Sequence, residues 1–282
     1  MKKMKILLPT DCSAFSQKAI KHALKMNELF QGELFFFHSI IIMGVQENMV
    51  KKLFDILAKE ASEKVKQMVD DIQKQSQTDF SFEIVIAHGN PVNEIKAFVD
   101  LNAIDLIIMG SKGTSGVKKA IMGSNAAKIA LNPPCPVMII PEKAEIKTKI
   151  TDIVYATDLS ELKDEMGTAV AISGLFDAHL HVLHIYPENL SLMEFDIVGI
   201  TLELTRKYKY ENISFEAIMD NNIINGLHYY AEINKPGILM LYRHRKETAE
   251  TIFDPNISKE YAYAAELPLL IIPQEVEKID NQ

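Results

Sequence analysis

The sequence predicts an α/β fold made of two tandem, doubly wound, mainly parallel five-stranded sheets. Three observations predict it: a repeated opening motif, a repeated closing motif, and short apolar runs that alternate with amphipathic helical stretches. Ile6–Ser13 (ILLPTDCS) and Ile153–Ser160 (IVYATDLS) each read as a β-rich run ending in Thr-Asp-x-Ser, a strong helix N-cap signal. The ends match without a gap. LIIMG at 106–110 and ILMLY at 238–242 stand 132 apart, and so do PVMIIP at 136–141 and PLLIIP at 268–273. Repetition at this scale points to duplication of a whole domain rather than to a solenoid.

Each half reads β-α-β-α-β-α-β-α-β. After the first strand come a helix carrying Phe15, Ala19, Ala23 and Met26, then a strand at 33–40. A long charged helix at 48–75 leads to a strand at 80–87, a helix at 91–101 and a strand at 105–109. The second half follows suit. It has a helix around Val170–Phe176, a strand at 178–185, a less regular helix near 190–207, strands at 213–219 and 237–241, and a helix at 222–234. Alternation of this kind implies parallel strands with helices on both faces, and near-continuously apolar strands fit a sheet covered on both sides. The expected domains are 1–142 and 150–276, joined by the polar linker Glu142–Lys149. Ligands of such sheets bind outside the carboxyl ends of the strands.

Composition narrows the function classes. The chain has 282 residues, 48% hydrophobic and 24% charged, with a formal net charge of −8, so a general electrostatic grip on nucleic acid is not expected. Cys12 and Cys135 lack metal-type spacing and read as thiols of a reducing compartment. The apolar runs are far shorter than the roughly 20 residues of a membrane span, and Ile6–Leu8 is too short for a signal-peptide core. The expected location is the cytoplasm, with no membrane partner.

The segment Gly110–Asn125 (GSKGTSGVKKAIMGSN) follows a buried strand and opens a helix. Gly110, Gly113 and Gly116 allow positive φ angles and close approach of the backbone to a ligand. Gly123, Ser124 and Asn125 would present amides, a hydroxyl and the positive end of a helix dipole, a setting that favours phosphate. Lys112, Lys118 and Lys119 add positive charge. A flexible surface loop is the competing interpretation, and the segment is neither a Walker A loop nor a G-x-G-x-x-G fingerprint.

The pattern Gly110-x-x-Gly113, nine residues, then Gly123-Ser124 resembles the ATP-binding signature of universal stress proteins. So do Pro9-Thr10-Asp11-x-Ser13, the histidine His38 closing the second strand, Gly89-Asn90-Pro91, and the Pro136-Val137 entry to a final strand. The resemblance spans nearly the whole chain as a tandem pair and implies a Rossmann-like, adenine nucleotide alpha hydrolase-like fold. It also implies ATP as ligand, with magnesium bridged by the phosphates rather than caged by protein. Pro9, Thr10 and Asp11 would then line the ribose or adenine region. Ser39 would offer backbone hydrogen bonds to adenine, and Gly110, Gly113, Gly123, Ser124 and Asn125 would hold ribose and phosphates. Asn125 departs from the small or apolar residue usual in the family. Asp11 and Ser13 could equally serve as helix caps.

In the second half the ungapped alignment puts Tyr242, Arg245, Thr248, Pro255 and Asn256 where the first has Gly110, Gly113, Gly116, Gly123 and Ser124. Bulk and a missing amide at Pro255 argue against nucleotide there, leaving Asp158 as a relic. Arg243, His244 and Arg245 could hold another anion or simply pair with Glu247 and Glu250. His179 and His181 share a strand face that His184 does not, which argues against a metal site. Tyr208, Tyr210, Tyr229, Tyr230, Tyr261 and Tyr263 suit packing or an interface. No nucleophilic arrangement is evident, so hydrolysis would at most be slow. A slow ATPase or adenylating enzyme and a partner-binding scaffold with a vestigial pocket are the alternatives to a nucleotide-responsive regulator. The apolar last strands, Val137–Ile140 and Leu269–Ile272, are expected to pair within the chain as a pseudo-twofold internal dimer, with homodimerisation also open.

Overall fold

The computed structural model describes residues 3–76, 80–113, 122–147, 149–159, 162–189, 196–243 and 267–273. Gly116, Lys118, Lys119, His244, Arg245, Thr248, Pro255, Asn256, Tyr261 and Tyr263 lie outside them. In the N-terminal half the order is β1 (Lys5–Pro9), α1 (Ala14–Phe30), β2 (Glu33–Ile40), α2 (Glu47–Ser76), β3 (Phe82–His88), α3 (Pro91–Asn102), β4 (Leu106–Gly110), α4 (Ser124–Leu131) and β5 (Val137–Ile140). The C-terminal half runs β6 (Asp152–Thr157), α5 (Leu162–Phe176), β7 (His179–Tyr186), α6 (Ile197–Tyr208), β8 (Ile213–Met219), α7 (Ile223–Asn234), β9 (Ile238–Arg243) and β10 (Leu269–Pro273).

Local chemistry sets these boundaries. Ser13 caps α1 by accepting the Ser16 amide, and Asn90 caps α3 with Pro91 in its first turn, where no amide partner is needed. Asp196 and Asn222 cap α6 and α7 in the same way. Gln31, Ala103, Lys209 and Lys235 end their helices in the left-handed conformation. The long helix α2 reaches the core only through Val65, Met68, Val69 and Ile72, one stripe at helical spacing near its C-terminal end.

The strands form one ten-stranded sheet in the order β3-β2-β1-β4-β5-β10-β9-β6-β7-β8. Within each half every pairing is parallel. The halves meet where β5 and β10 pair antiparallel, with Leu269 opposite Ile139, Leu270 opposite Met138 and Ile271 opposite Val137. The two five-stranded halves thus join through their apolar last strands into one continuous sheet, because neither last strand has a polar face to turn to water. Successive side chains serve opposite layers, as a pleated strand requires. Ile6 and Leu8 join a core that runs across both halves beneath α1, α2, α5 and α6, while Leu7 joins the layer with α3 and α4. Phe30 and Phe176 meet edge to face at 5.3 Å across the pseudo-twofold. Among the described residues no helix is long and apolar enough to cross a membrane.

The segment linking the halves is packed rather than loose. Ala144 is fully buried, and Lys147 Nζ donates to the carbonyls of Lys235 and Pro236 at 2.8 and 2.9 Å. Beside it His22 of α1 is only 5% exposed, bonds the backbone of Ala144, and leaves its Nε2 without a partner. It lines a void of about 20 Å³ together with Lys25, Glu145 and Lys147. Burial, aided by the charge of Lys18, lowers its pKa to about 4.

Because the folded pKa is depressed, His22 stays neutral in the fold while the unfolded chain protonates near pH 6.5. Its contribution is therefore complete above pH 6.5 and is lost as pH falls towards 4. Between pH 7 and 4.5 the wild type should lose about 2 kcal/mol more unfolding free energy than His22→Leu. Denaturant titrations at both pH values measure this, and equal losses would show that His22 does not titrate with unfolding.

Candidate functional site

A cleft of about 190 Å³ opens at the carboxyl ends of β1, β2 and β4. Pro9, Thr10, Asp11, Ser39, Gly110, Gly113, Gly123, Ser124 and Asn125 all line it, joined by His38, Pro91, Ile95, Ser111 and Lys112. One end is built on the β1–α1 turn. Thr10 is nearly buried and its groups are used internally: its amide donates to Phe37 O, its hydroxyl bonds Ser16 Oγ at 2.9 Å and accepts the Cys12 amide at 3.0 Å. His38 Nδ1 donates to the Thr10 carbonyl at 2.8 Å, which locks the second strand to the turn and fixes the ring tautomer. Cys12 adopts φ of +60°, so the chain reverses within one residue and Asp11 Oδ1 accepts the Ser13 amide at 3.0 Å. Asp11 thus braces the turn while lining the cleft, and Ser13 is the cap of the helix.

The other end is the glycine loop. Ser111 donates to Ile140 O at 2.9 Å, and the Gly123 amide donates to Ser111 O at 2.6 Å, so that amide is already used. The donors opening on the cleft are therefore those of Ser124, Asn125 and Ala126 in the first turn of α4. Gly123 is the N-cap of that helix and supplies no side-chain cap, unlike Ser13, Asn90, Asp196 and Asn222 at the heads of α1, α3, α6 and α7. Space, not handedness, distinguishes Gly110 and Gly113. Among the described residues the glycines with positive φ are Gly44 and Gly89, so the expected positive φ at Gly110 and Gly113 is absent. A Cβ on Gly113 would stand 2.7 Å from Asp11 Oδ2, whereas one on Gly123 would meet nothing closer than 3.5 Å. Gly89, at φ of +143°, returns the chain from β3 into α3.

The second half repeats the frame of the β1–α1 turn. Thr157 Oγ1 accepts the Leu159 amide at 3.0 Å, Leu159 takes φ of +69°, and His184 Nδ1 donates to the Thr157 carbonyl at 3.0 Å. At the end of β9, however, the position of Gly110 is filled by Tyr242, whose ring packs into the core 6.1 Å from that of Tyr155.

A second polar cluster sits at the start of β6 and β7. His181 Nδ1 bonds Glu216 Oε1 at 2.7 Å and Nε2 bonds Asp152 Oδ1 at 3.1 Å, with the Tyr230 hydroxyl 2.9 Å from Nδ1. Burial opposes charge on His181, but the two carboxylates outweigh it and raise its pKa. Burial and that neighbouring charge lower the pKa of His179, whose ring lies 4.5 Å away and bonds Ser214. Tyr230 and Tyr210, which bonds the Ala178 carbonyl, are both structural. Among the described residues no group of three His, Cys, Asp or Glu side chains could hold a metal ion. Burial, with a smaller push from Asp11, raises the pKa of Cys12, so its thiol is not activated.

Known proteins match this arrangement. The model of the universal stress protein family matches residues 3–141. Universal stress protein MJ0531 of Methanocaldococcus jannaschii is 29% identical over 143 residues, covering 48% of this chain and 81% of that protein. Universal stress protein YxiE of Bacillus subtilis is 27% identical over 147 residues, covering 48% and 97%. The crystal structure of a universal stress protein from Archaeoglobus fulgidus superposes with a TM-score of 0.73 at 17% identity, covering 98% of this chain and 100% of that one. That likeness extends the fold over both halves. Residues 3–141 belong to the universal stress protein family, and the C-terminal half repeats the same fold.

Proposed function

We propose that this universal stress protein is a nucleotide-responsive regulator that binds ATP, with magnesium carried on the phosphates, in the N-terminal cleft alone. The observation that supports this most is the head of α4. Its first amides open on the cleft with no side chain to cap them, and Lys112 stands beside them in a chain of net charge −8. A phosphate group meets both needs, since it accepts hydrogen bonds from orphan amides and sits at the positive end of the helix dipole. The adenosine end fits the opposite wall, where Pro9, Phe37, Pro91 and Ile95 are apolar and Asp11 and Ser39 are polar. Tyr242 at the matching position of the second half favours a single site per chain. Among the described residues the cleft offers no activated nucleophile, with the pKa of Cys12 raised by burial, so binding rather than rapid turnover is the role proposed.

Isothermal titration with ATP and magnesium should give one site per chain; no heat, or two equal sites, would sink the proposal. Gly113→Ala should weaken binding at least about tenfold, because the new methyl would stand 2.7 Å from Asp11 Oδ2 and turn that carboxylate away from its place in the cleft. Gly123→Ala has ordinary contact distances, and binding should stay within about threefold of wild type. Equal losses in both variants would mean that contact with Asp11 is not what Gly113 provides.

A further inference from the structure

The cation of the cleft is already engaged. Lys112 Nζ lies 3.2 Å from Glu142 Oε2, the first residue beyond Pro141 in the segment that joins the halves. That segment is fastened at successive points. The carbonyl of Glu142 accepts Lys18 Nζ from α1, the Ala144 amide donates to Pro141 O at 3.2 Å, and Lys147 Nζ holds the carbonyls of Lys235 and Pro236. The segment therefore carries anchors from the cleft at Glu142 to the entry of β9 at Lys147. Direction matters here. Because β5 and β10 are antiparallel, the carboxyl edge of the first five strands is also the amino edge of the second five. The segment runs along that shared edge.

Resting on the nucleotide reading of the cleft, we propose that Glu142 competes with the ligand's phosphates for Lys112, so that occupancy releases the segment 142–147 and is thereby reported to the C-terminal half. A polyphosphate carries more charge than one carboxylate and draws the ammonium towards the cleft. Glu142, left beside that anion, is repelled. Coupling of this kind is reciprocal: if ligand loosens the segment, removing Glu142's hold on Lys112 must tighten the ligand by the same factor. The pair is partly exposed, with side-chain accessibilities of 22% for Lys112 and 51% for Glu142, so the factor is modest.

Glu142→Gln tests it on the full chain. The variant should bind ATP about two- to fivefold more tightly than wild type, the range of an exposed ion pair, while AMP, with its smaller charge, should gain less. Hydrogen exchange at the Ala144 amide should quicken when wild type is saturated with ATP and should already be fast in the free variant. ATP binding that is unchanged or weaker in Glu142→Gln, or exchange at Ala144 that ATP leaves alone, overturns the role of Glu142 while sparing the cleft. Failure of wild type to bind ATP at all removes both.

Discussion

Val137–Ile140 and Leu269–Ile272 are buried on both sides, and each would be the open edge of its own sheet if the halves stood apart. An exposed edge of that composition is an aggregation hazard, and its backbone amides and carbonyls also need partners. Mutual antiparallel pairing meets both demands at once. Burial of each aliphatic side chain there is worth about 1.5–3 kcal/mol, so the seam is a core contact in its own right. Much else follows from it. The sheet becomes continuous, α1 and α5 are brought into contact through Phe30 and Phe176, and the joining segment is pressed against His22.

The two halves diverge in a way that separates folding from binding. Both keep the threonine that accepts an amide two residues on, the left-handed residue after the aspartate, and the histidine that clamps the turn from the neighbouring strand. These contacts close the β–α connection and are needed whether or not a ligand is bound. What differs is the end of the fourth strand of each half, glycine in one and a core-packing tyrosine in the other. In the N-terminal half the same clamp faces the first amides of α4 and Lys112 across the cleft.

The order of elements was legible because the signals are local: apolar runs, Thr-Asp-x-Ser caps, Asn90-Pro91, and the ungapped spacing of the closing motifs. The residues lining the cleft were legible for the same reason, since they fall at strand ends. Details that depend on pairing were not. That the Gly123 amide donates to Ser111, and that Gly113 faces Asp11, follow from loop closure and leave no trace in composition. His181 is instructive. Its strand face was evident, but Asp152, Glu216 and Tyr230 reach it only because β6, β7 and β8 lie side by side with α7 above them. His181 closes a polar cluster by bonding both Glu216 and Asp152, while His184 clamps the Thr157 turn elsewhere.

Antiparallel joining also decides how the halves can communicate. The carboxyl ends of the two strand sets point to opposite edges of the sheet, so no single ligand in one cleft can touch the corresponding turn of the other half. Tyr242, at the carboxyl end of β9, therefore lies on the edge opposite Asp11 and Gly113. Any influence of the N-terminal cleft on the second half must instead pass along the edge they share. Three features crowd that edge: the segment from Glu142 to Lys147, the start of β9 that it grips, and the ion cluster around His181 at the heads of β6 and β7. A change in the hold on Glu142 would act on the side of the C-terminal half where its strands begin, at the edge opposite the Thr157 turn.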